Sequence, residues 1–222
     1  MIRALTVFAA LPLVLAGCGG GQPSANAAGG GNSVSARPSF DPPVPKDLPA
    51  TVRMRIETSL GTIVVALDHA HAPVTTTNFV RYADDHRFDG TFFYRAARTP
   101  GAPKEGFVQG GIAHSARLLL PPIRLEPTTE TGLRHRDGTI SMAHSTPDTA
   151  MGDFVLCVGD QPGLDAHPEK GDKGYAAFGR VVEGMDVARR LLASPTAPTP
   201  STGKPSERLQ PPIRILRIAR AE

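Results

Sequence analysis

Three kinds of side chain in this 222-residue sequence have types and spacings suited to chemistry. Ser115, Ser141 and Ser145 lie near His114 and His144, which raises a hydrolase reading. No nucleophile-elbow glycine pattern surrounds any of these serines, so that reading is not supported. His69 and His71 flank a strand end, but no third ligand follows at a workable spacing, and no metal site is expected. The third kind is polar residues set among apolar ones. Phe93, Tyr94 and Arg95 are followed by Phe107, Val108, Gln109, Gly110 and Gly111. A second dense stretch is DGTISMAHSTPDTAMGDFVLCVG (137–159), and a third is LDAHPEKGDKGYAAFGRVVEGMDVARRL (164–191). Arg95 is always charged and presents a rigid planar fork of donors, which a lysine would not.

The surrounding pattern shows what must position these residues. VRMRIETSLGTIVVALD (52–68) predicts two strands around a turn near Ser59–Gly61. HAPVTTTNFVRYADDH opens a helix with Pro73 in its first turn and places Phe79, Tyr82 and Ala83 on one face. Its three threonines lower the intrinsic propensity, so packing must help. Short strands are predicted at 91–96, 106–111, 138–143, 153–159 and 176–182, with Phe93 facing the core. MDVARRLLA (185–193) is a second helix with Ala188, Leu191 and Leu192 together, Asp186 near its start and Arg189 and Arg190 later, as the helix dipole favours. A Pro-rich loop (194–206) leads to a last alternating strand, IRILRIA (213–219). Many short strands with two helices imply an antiparallel barrel or sandwich. Pattern alone does not choose, although a barrel removes the strand edges. No repeat at a fixed period appears.

Composition limits the function. Apolar residues make up 40%, Trp is absent, and nine Phe and three Tyr must supply the large core groups. A net charge of +3 is too weak and too scattered for nucleic acid. Residues 1–17, MIRALTVFAALPLVLAG, carry Arg3 and then an apolar run too short to span a membrane comfortably, which fits a secretory signal. The junction LAGC, Leu15 to Cys18, resembles the bacterial lipobox. There the thiol is required because only it can take the diacylglyceryl thioether. Acyl chains contribute roughly 0.8 kcal/mol per buried CH₂, so several make a stable anchor. Gly19, in place of Asp, points to the outer membrane in a cell that has two. Residues 19–33 are Gly/Ala/Ser/Asn-rich and 36–50 Pro-rich, a tether expected to bury no core. The expected organisation is a signal peptide over 1–17, a lipidated Cys18 with a tether over 18–51, and a folded domain over 52–222. Two cysteines allow a Cys18–Cys157 disulfide by count, but acylation gives Cys18 another fate, and Cys157 in DFVLCVG reads as a small buried hydrophobe.

The blocks FFYRA, FVQGG, GTISMA with DFVLCVG, and LD with YAAFGRVVEGM resemble, in order, those of the cyclophilin family of peptidyl-prolyl cis/trans isomerases. With GTIVVALD and APVTTTNFV they cover roughly 52–220. The resemblance implies a mainly β fold: a closed eight-stranded antiparallel barrel capped by two helices, with a shallow site on its outer face. It implies rotation of X-Pro bonds without cofactor, metal, nucleotide or covalent intermediate, by a monomer acting on proline-containing polypeptides; the signal and the lipobox make exported chains the expected substrates. It assigns Arg95 as the catalytic arginine and Gln109 as the glutamine that holds the substrate backbone and helps orient it. Phe107 or Val108 lines the proline pocket, Leu164 is a wall, and Ala143 and His144 belong to the segment that pairs with an extended peptide.

The sequence departs from the family in places. Eleven residues, AARTPGAPKEG, separate Arg95 from Phe107, more than is usual, and can reshape a rim of the pocket. Val155 replaces a phenylalanine and Asp153 a glutamine; Asp153 is expected to lie near Arg95, placed to pair with it. Tyr175 stands for the pocket histidine and Gly163 for a tryptophan. Reduced activity, narrower substrate choice and weak cyclosporin binding are expected. The same departures keep a second function in view, a proline-peptide-binding adaptor or holdase with little turnover.

Overall fold

Alternation along the strands decides the architecture. The computed structural model describes residues 41–45, 47–113, 115–199, 201–202 and 205–221; the expected signal, Cys18 and most of the tether lie outside the described residues. The strands are β1 (Thr51–Thr58), β2 (Gly61–Asp68), β3 (Phe92–Thr99), β4 (Ala102–Gly111), β5 (Thr139–Met142), β6 (Asp153–Val158), β7 (Ala176–Glu183), β8 (Thr196–Pro198) and β9 (Pro205–Arg220). The helices are α1 (Pro73–Asp84), the single turn α2 (Thr128–Thr131) and α3 (Met185–Ala193). Hydrogen bonding runs β1-β2-β7-β5-β6-β4-β3-β9, and β9 pairs back onto β1. Eight antiparallel strands therefore close a barrel, and β8 adds to β9 outside the ring. Closure leaves no edge among the eight.

Inward positions fill the barrel. Phe93, Val108, Phe154, Ile140 and Phe178 are fully buried, and Phe79 of α1 reaches into the same cluster. Phe154 meets Phe79 at 5.3 Å and 85°, and Phe93 at 5.6 Å and 79°. Such edge-to-face pairs add about 0.5–1.5 kcal/mol each beyond their buried area. With Trp absent, these rings carry the core, as the composition requires. Helix α3 matches the predicted span and buries Val187, Ala188, Leu191 and Leu192.

Three stretches depart from the sequence expectations. The eleven residues after Arg95 continue β3 and β4 as a longer hairpin that turns at Pro100–Gly101. The Pro-rich segment 194–206 is not only a loop: β8 pairs with the start of β9, Thr196 opposite Leu209. Proline is tolerated there because β8 is an edge strand. The end of the expected tether is also ordered against the domain, with Pro42 buried and Leu48 in the core.

Helix α1 begins at Pro73 without a local side-chain cap. Its first amides are met from the loop before α2. Glu126, 2% exposed, accepts the N–H of Val74 (3.1 Å) and Thr75 (2.8 Å) and the Thr75 hydroxyl (2.6 Å). A carboxylate at a helix N-terminus also complements the helix dipole. Arg124 bridges Glu126 (3.4 Å) to Asp41 (3.0 Å), which ties residue 41 to the same spot. Glu126→Ala strands buried donors and is expected to lower the unfolding free energy by about 1–3 kcal/mol. Asp41→Ala removes only an exposed contact and is expected to cost less than about 1 kcal/mol. Urea unfolding of both variants checks the contrast.

Candidate active site

The barrel register builds one row of outward side chains. Arg95 on β3 lies opposite Gln109 on β4, Gln109 opposite Val155 on β6, and Val155 opposite Ser141 on β5. Directly paired residues of antiparallel strands share a face. A β-bulge between Phe93 and Arg95 breaks strict alternation. It allows Tyr94 and Arg95 both to work at the outer surface while Phe93 stays inside. The two glycines after Gln109 are required by close approach. A Cβ at Gly110 would sit 2.7 Å from the Phe93 ring, and Gly111 has φ +127° with the Gly152 carbonyl against it.

Arg95, Phe107, Gln109, Ala143, His144, Val155, Leu164 and Tyr175 line one cavity of ≈ 140 Å³. The structure thus gathers eight of the ten catalytic and substrate-binding residues expected from the sequence. Gln109, Ala143 and His144 also border a neighbouring depression of ≈ 240 Å³, which contains Asp153. Two larger grooves of ≈ 510 Å³ lie elsewhere and include neither Arg95 nor Gln109.

Hydrogen bonds fix the polar side of the cavity. Asp153 accepts the Tyr94 hydroxyl at 3.1 Å and the Ala113 amide at 2.8 Å. An ionised carboxylate only accepts, so Tyr94 donates to it and its oxygen is left to accept Gln109 Nε2–H at 2.9 Å. That turns Gln109 Oε1 toward Arg95, whose Nη1 donates to it at 3.0 Å. Burial, reinforced by the Asp153 charge and hydrogen bond, pushes the Tyr94 phenol well above its ordinary range, so it keeps its proton. The Arg95 guanidinium lies 5.1 Å from the centre of the Phe107 ring, and its Nε donates to Glu207 of β9 at 2.7 Å.

The apolar side is braced as well. Tyr175 donates its amide to the Leu164 carbonyl at 2.9 Å, joining two walls. His144 stacks on Tyr175 at 4.5 Å and 26°. Its Nε2 donates to the Gly174 carbonyl at 3.0 Å, which places the ring proton there and leaves buried Nδ1 unpartnered. The Ala143 amide is committed to the Asp153 carbonyl at 2.9 Å, so this residue would meet an extended peptide through its carbonyl.

Two expectations are corrected. Val108 does not line the pocket: the period of two that turns Phe107 and Gln109 outward turns Val108 into the barrel core, at 0% exposure. Asp153 borders the neighbouring depression, bonded to Tyr94 and Ala113, and Glu207, which the sequence does not flag, forms a salt bridge with Arg95. Sequence reasoning also missed the partner of Ser141. That hydroxyl bonds His135 Nε2 (2.8 Å), and His135 Nδ1 bonds Asp165 (2.7 Å). The serine is fully buried, so this array has no nucleophile for a substrate to reach. Cys157 is a free buried thiol whose pKa burial pushes up to about 12, so it is inert at neutral pH.

A closed eight-stranded barrel whose polar cleft lies on its outer wall defines a cyclophilin-like protein. The family model for cyclophilin type peptidyl-prolyl cis-trans isomerase/CLD matches residues 53–220, and the chain belongs to that family. It is 40% identical to peptidyl-prolyl cis-trans isomerase A of Dickeya dadantii over 139 residues, 61% of this chain and 68% of that one. It is 36% identical to peptidyl-prolyl cis-trans isomerase cyp18 of Streptomyces antibioticus over 140 residues, 60% and 79% of the two chains. Its fold matches the crystal structure of a Cryptosporidium parvum cyclophilin type isomerase with a TM-score of 0.60 at 20% identity, covering 78% of this chain and 98% of that one. A second structure of the parasite protein, in the presence of the dipeptide Ala-Pro, gives 0.59, also at 20% identity, over 77% of this chain and 99% of that one.

Burial lowers the pKa of His135, against the opposing hydrogen bond and charge of Asp165, and lowers that of His144. Below the ordinary imidazole value of about 6.5, the unfolded chain therefore binds protons that the folded chain does not. The stability held by these neutral rings is complete above that value and is lost as pH falls through the lower folded values. Urea midpoints are expected to decline from roughly pH 7.5 to 5. The decline should be shallower in His135→Gln.

Proposed function

We propose that this domain isomerises X-Pro bonds with Arg95 as the catalytic group, acting as a monomer on polypeptides exported to the cell envelope. The observation that carries the reading is the presentation of the Arg95 guanidinium beside the Phe107, Val155 and Leu164 walls of one cavity, aligned by Gln109 and backed by Phe107. The barrier to rotation is about 18–20 kcal/mol and comes from amide resonance. As the amide twists, the prolyl nitrogen loses conjugation and gains a lone pair. A fixed N–H donor at that nitrogen favours the twisted form over the planar one, and each ten-fold in rate needs only about 1.4 kcal/mol of such preference. Phe107, Val155 and Leu164 supply apolar surface for the proline ring. Ala143 supplies a backbone carbonyl for the extended chain beside it. The crystal structure of the Cryptosporidium relative with Ala-Pro supports this class of ligand.

A binding module with little turnover is the second reading, favoured by the ion pair that engages Arg95 from β9. Isomerisation of an X-Pro peptide by the wild type and Arg95→Ala decides between them. Loss of a positioned donor is expected to reduce kcat by roughly 100-fold. Equal rates for the two proteins, no faster than buffer, would leave the groove a binder only.

The envelope setting rests on the apolar leader and the Leu15–Cys18 junction, with the Pro-rich segment leading into the domain at Asp41. The proposed anchor is an acylated Cys18, which would hold the isomerase where newly exported chains emerge. Cys18→Ala is expected to leave the membrane fraction and to take up no labelled fatty acid. Persistence of both in the variant would refute acylation at this residue.

A further inference from the structure

We propose that Glu207 is a positioning residue of the isomerase site, a carboxylate on β9 that sets the Arg95 guanidinium in its working orientation. This rests on the reading of Arg95 as the catalytic group. The guanidinium has five N–H donors. Glu207 takes Nε–H at 2.7 Å, Gln109 takes one hydrogen of Nη1 at 3.0 Å, and Cζ lies over the Phe107 ring, 5.1 Å from its centre. Among the described residues, Nη2 and the second Nη1 hydrogen meet no hydrogen-bond acceptor and are open to a substrate. Gln109 and Phe107 both come from β4, and neither constrains Nε. Glu207 supplies a restraint from a different strand, so rotation of the fork about its own axis is blocked as well as its tilt.

The fold brings Glu207 there deliberately. Between the pairs Phe93–Ile213 and Arg95–Arg208, β3 advances two residues while β9 advances five. The surplus on β9 breaks the register, and the strand then re-pairs beside Arg95 with β8 on its other side, Thr196 opposite Leu209. Both partners are half exposed, at 41% and 53%. Water therefore screens the carboxylate's field, and Arg95 stays a full cation because guanidinium does not lose its proton in proteins. Alignment is gained without removal of the charge that the twisted amide needs.

The test compares full-length wild type, Glu207→Ala, Glu207→Gln and Arg95→Ala. Isomerisation of an X-Pro peptide gives kcat and KM separately, and the Arg95 Nε–H resonance reports whether that proton is held. Glu207→Ala is expected to lower kcat by about two- to five-fold, the span one exposed ion pair supports, with KM unmoved. It should also lose the slowly exchanging Nε–H signal without a change in thermal midpoint. Glu207→Gln keeps an oxygen for Nε–H and should restore both kcat and the signal. An unchanged or raised kcat in Glu207→Ala, with Arg95→Ala inactive, overturns the inference and leaves the catalytic reading standing. Full activity in Arg95→Ala overturns the catalytic reading itself, and the role of Glu207 with it.

Discussion

Everything in this domain depends on the pairing of β9 with β1. That contact turns an open sheet into a ring, and a ring gives every strand an inside and an outside. Once closed, register leaves no freedom: a slip of one residue would send Arg95 and Gln109 into a core of phenylalanine rings and Phe93 and Val108 into water. The cost of burying a charged guanidinium without a partner forbids that alternative. The same constraint that packs the core therefore also sets the chemistry, because the residues between the core positions are the site. A cleft on the outer wall follows from a barrel too full to hold a ligand.

The outer wall needs cover of its own, and buried polar groups organise it. His135, held by Asp165 and Ser141, has the connectivity of a hydrolase triad. Here it serves as a strut. Ser141 lies opposite Val155 on the pocket row, and Asp165 follows Leu164 in the chain, so the array ties a loop to the strand behind the apolar wall. Geometry without access makes no nucleophile, and the same three residue types give scaffolding or catalysis according to exposure alone. Glu126 plays the comparable part at the start of α1, where a remote carboxylate does what a local cap would do elsewhere.

The legible parts of the fold were those with short-range signatures. Helix α3 was readable to its ends because Ala188, Leu191 and Leu192 repeat at helical spacing between Gly184 and Ser194. The row Arg95, Gln109, Val155 could be inferred only through resemblance, since its members are neighbours by strand pairing and not by sequence. One block cannot fix the register of β4, so Phe107 and Val108 are equal candidates on sequence; the structure separates them through alternation. Glu207 carried no signal at all. Its bond to Arg95 spans 112 positions, and it sits in a proline-rich stretch whose composition argues for a loop. The hairpin of β8 and β9 forms there because its prolines fall at an edge, a tertiary circumstance that local propensity does not contain.

The site reconciles two demands that usually conflict. A catalytic guanidinium must be rigid, yet it must remain charged and open to solvent so that a polypeptide can reach it. Burial would give rigidity but would cost the charge its hydration. Here rigidity comes instead from geometry: an aromatic ring under Cζ, an amide oxygen at Nη1 and a carboxylate at Nε, each on a strand whose position the barrel fixes. The orientation of the amide is itself fixed by Tyr94 and, behind it, by buried Asp153. Asp153, which replaces a glutamine of the family pattern, thus reaches the arginine through two intermediaries. Val155, which lines the cavity, offers less apolar surface than the phenylalanine of the family pattern. The polar side is braced by the Asp153–Tyr94–Gln109 chain, so in the proposed mechanism discrimination between the planar and twisted amide rests on the donor more than on the pocket.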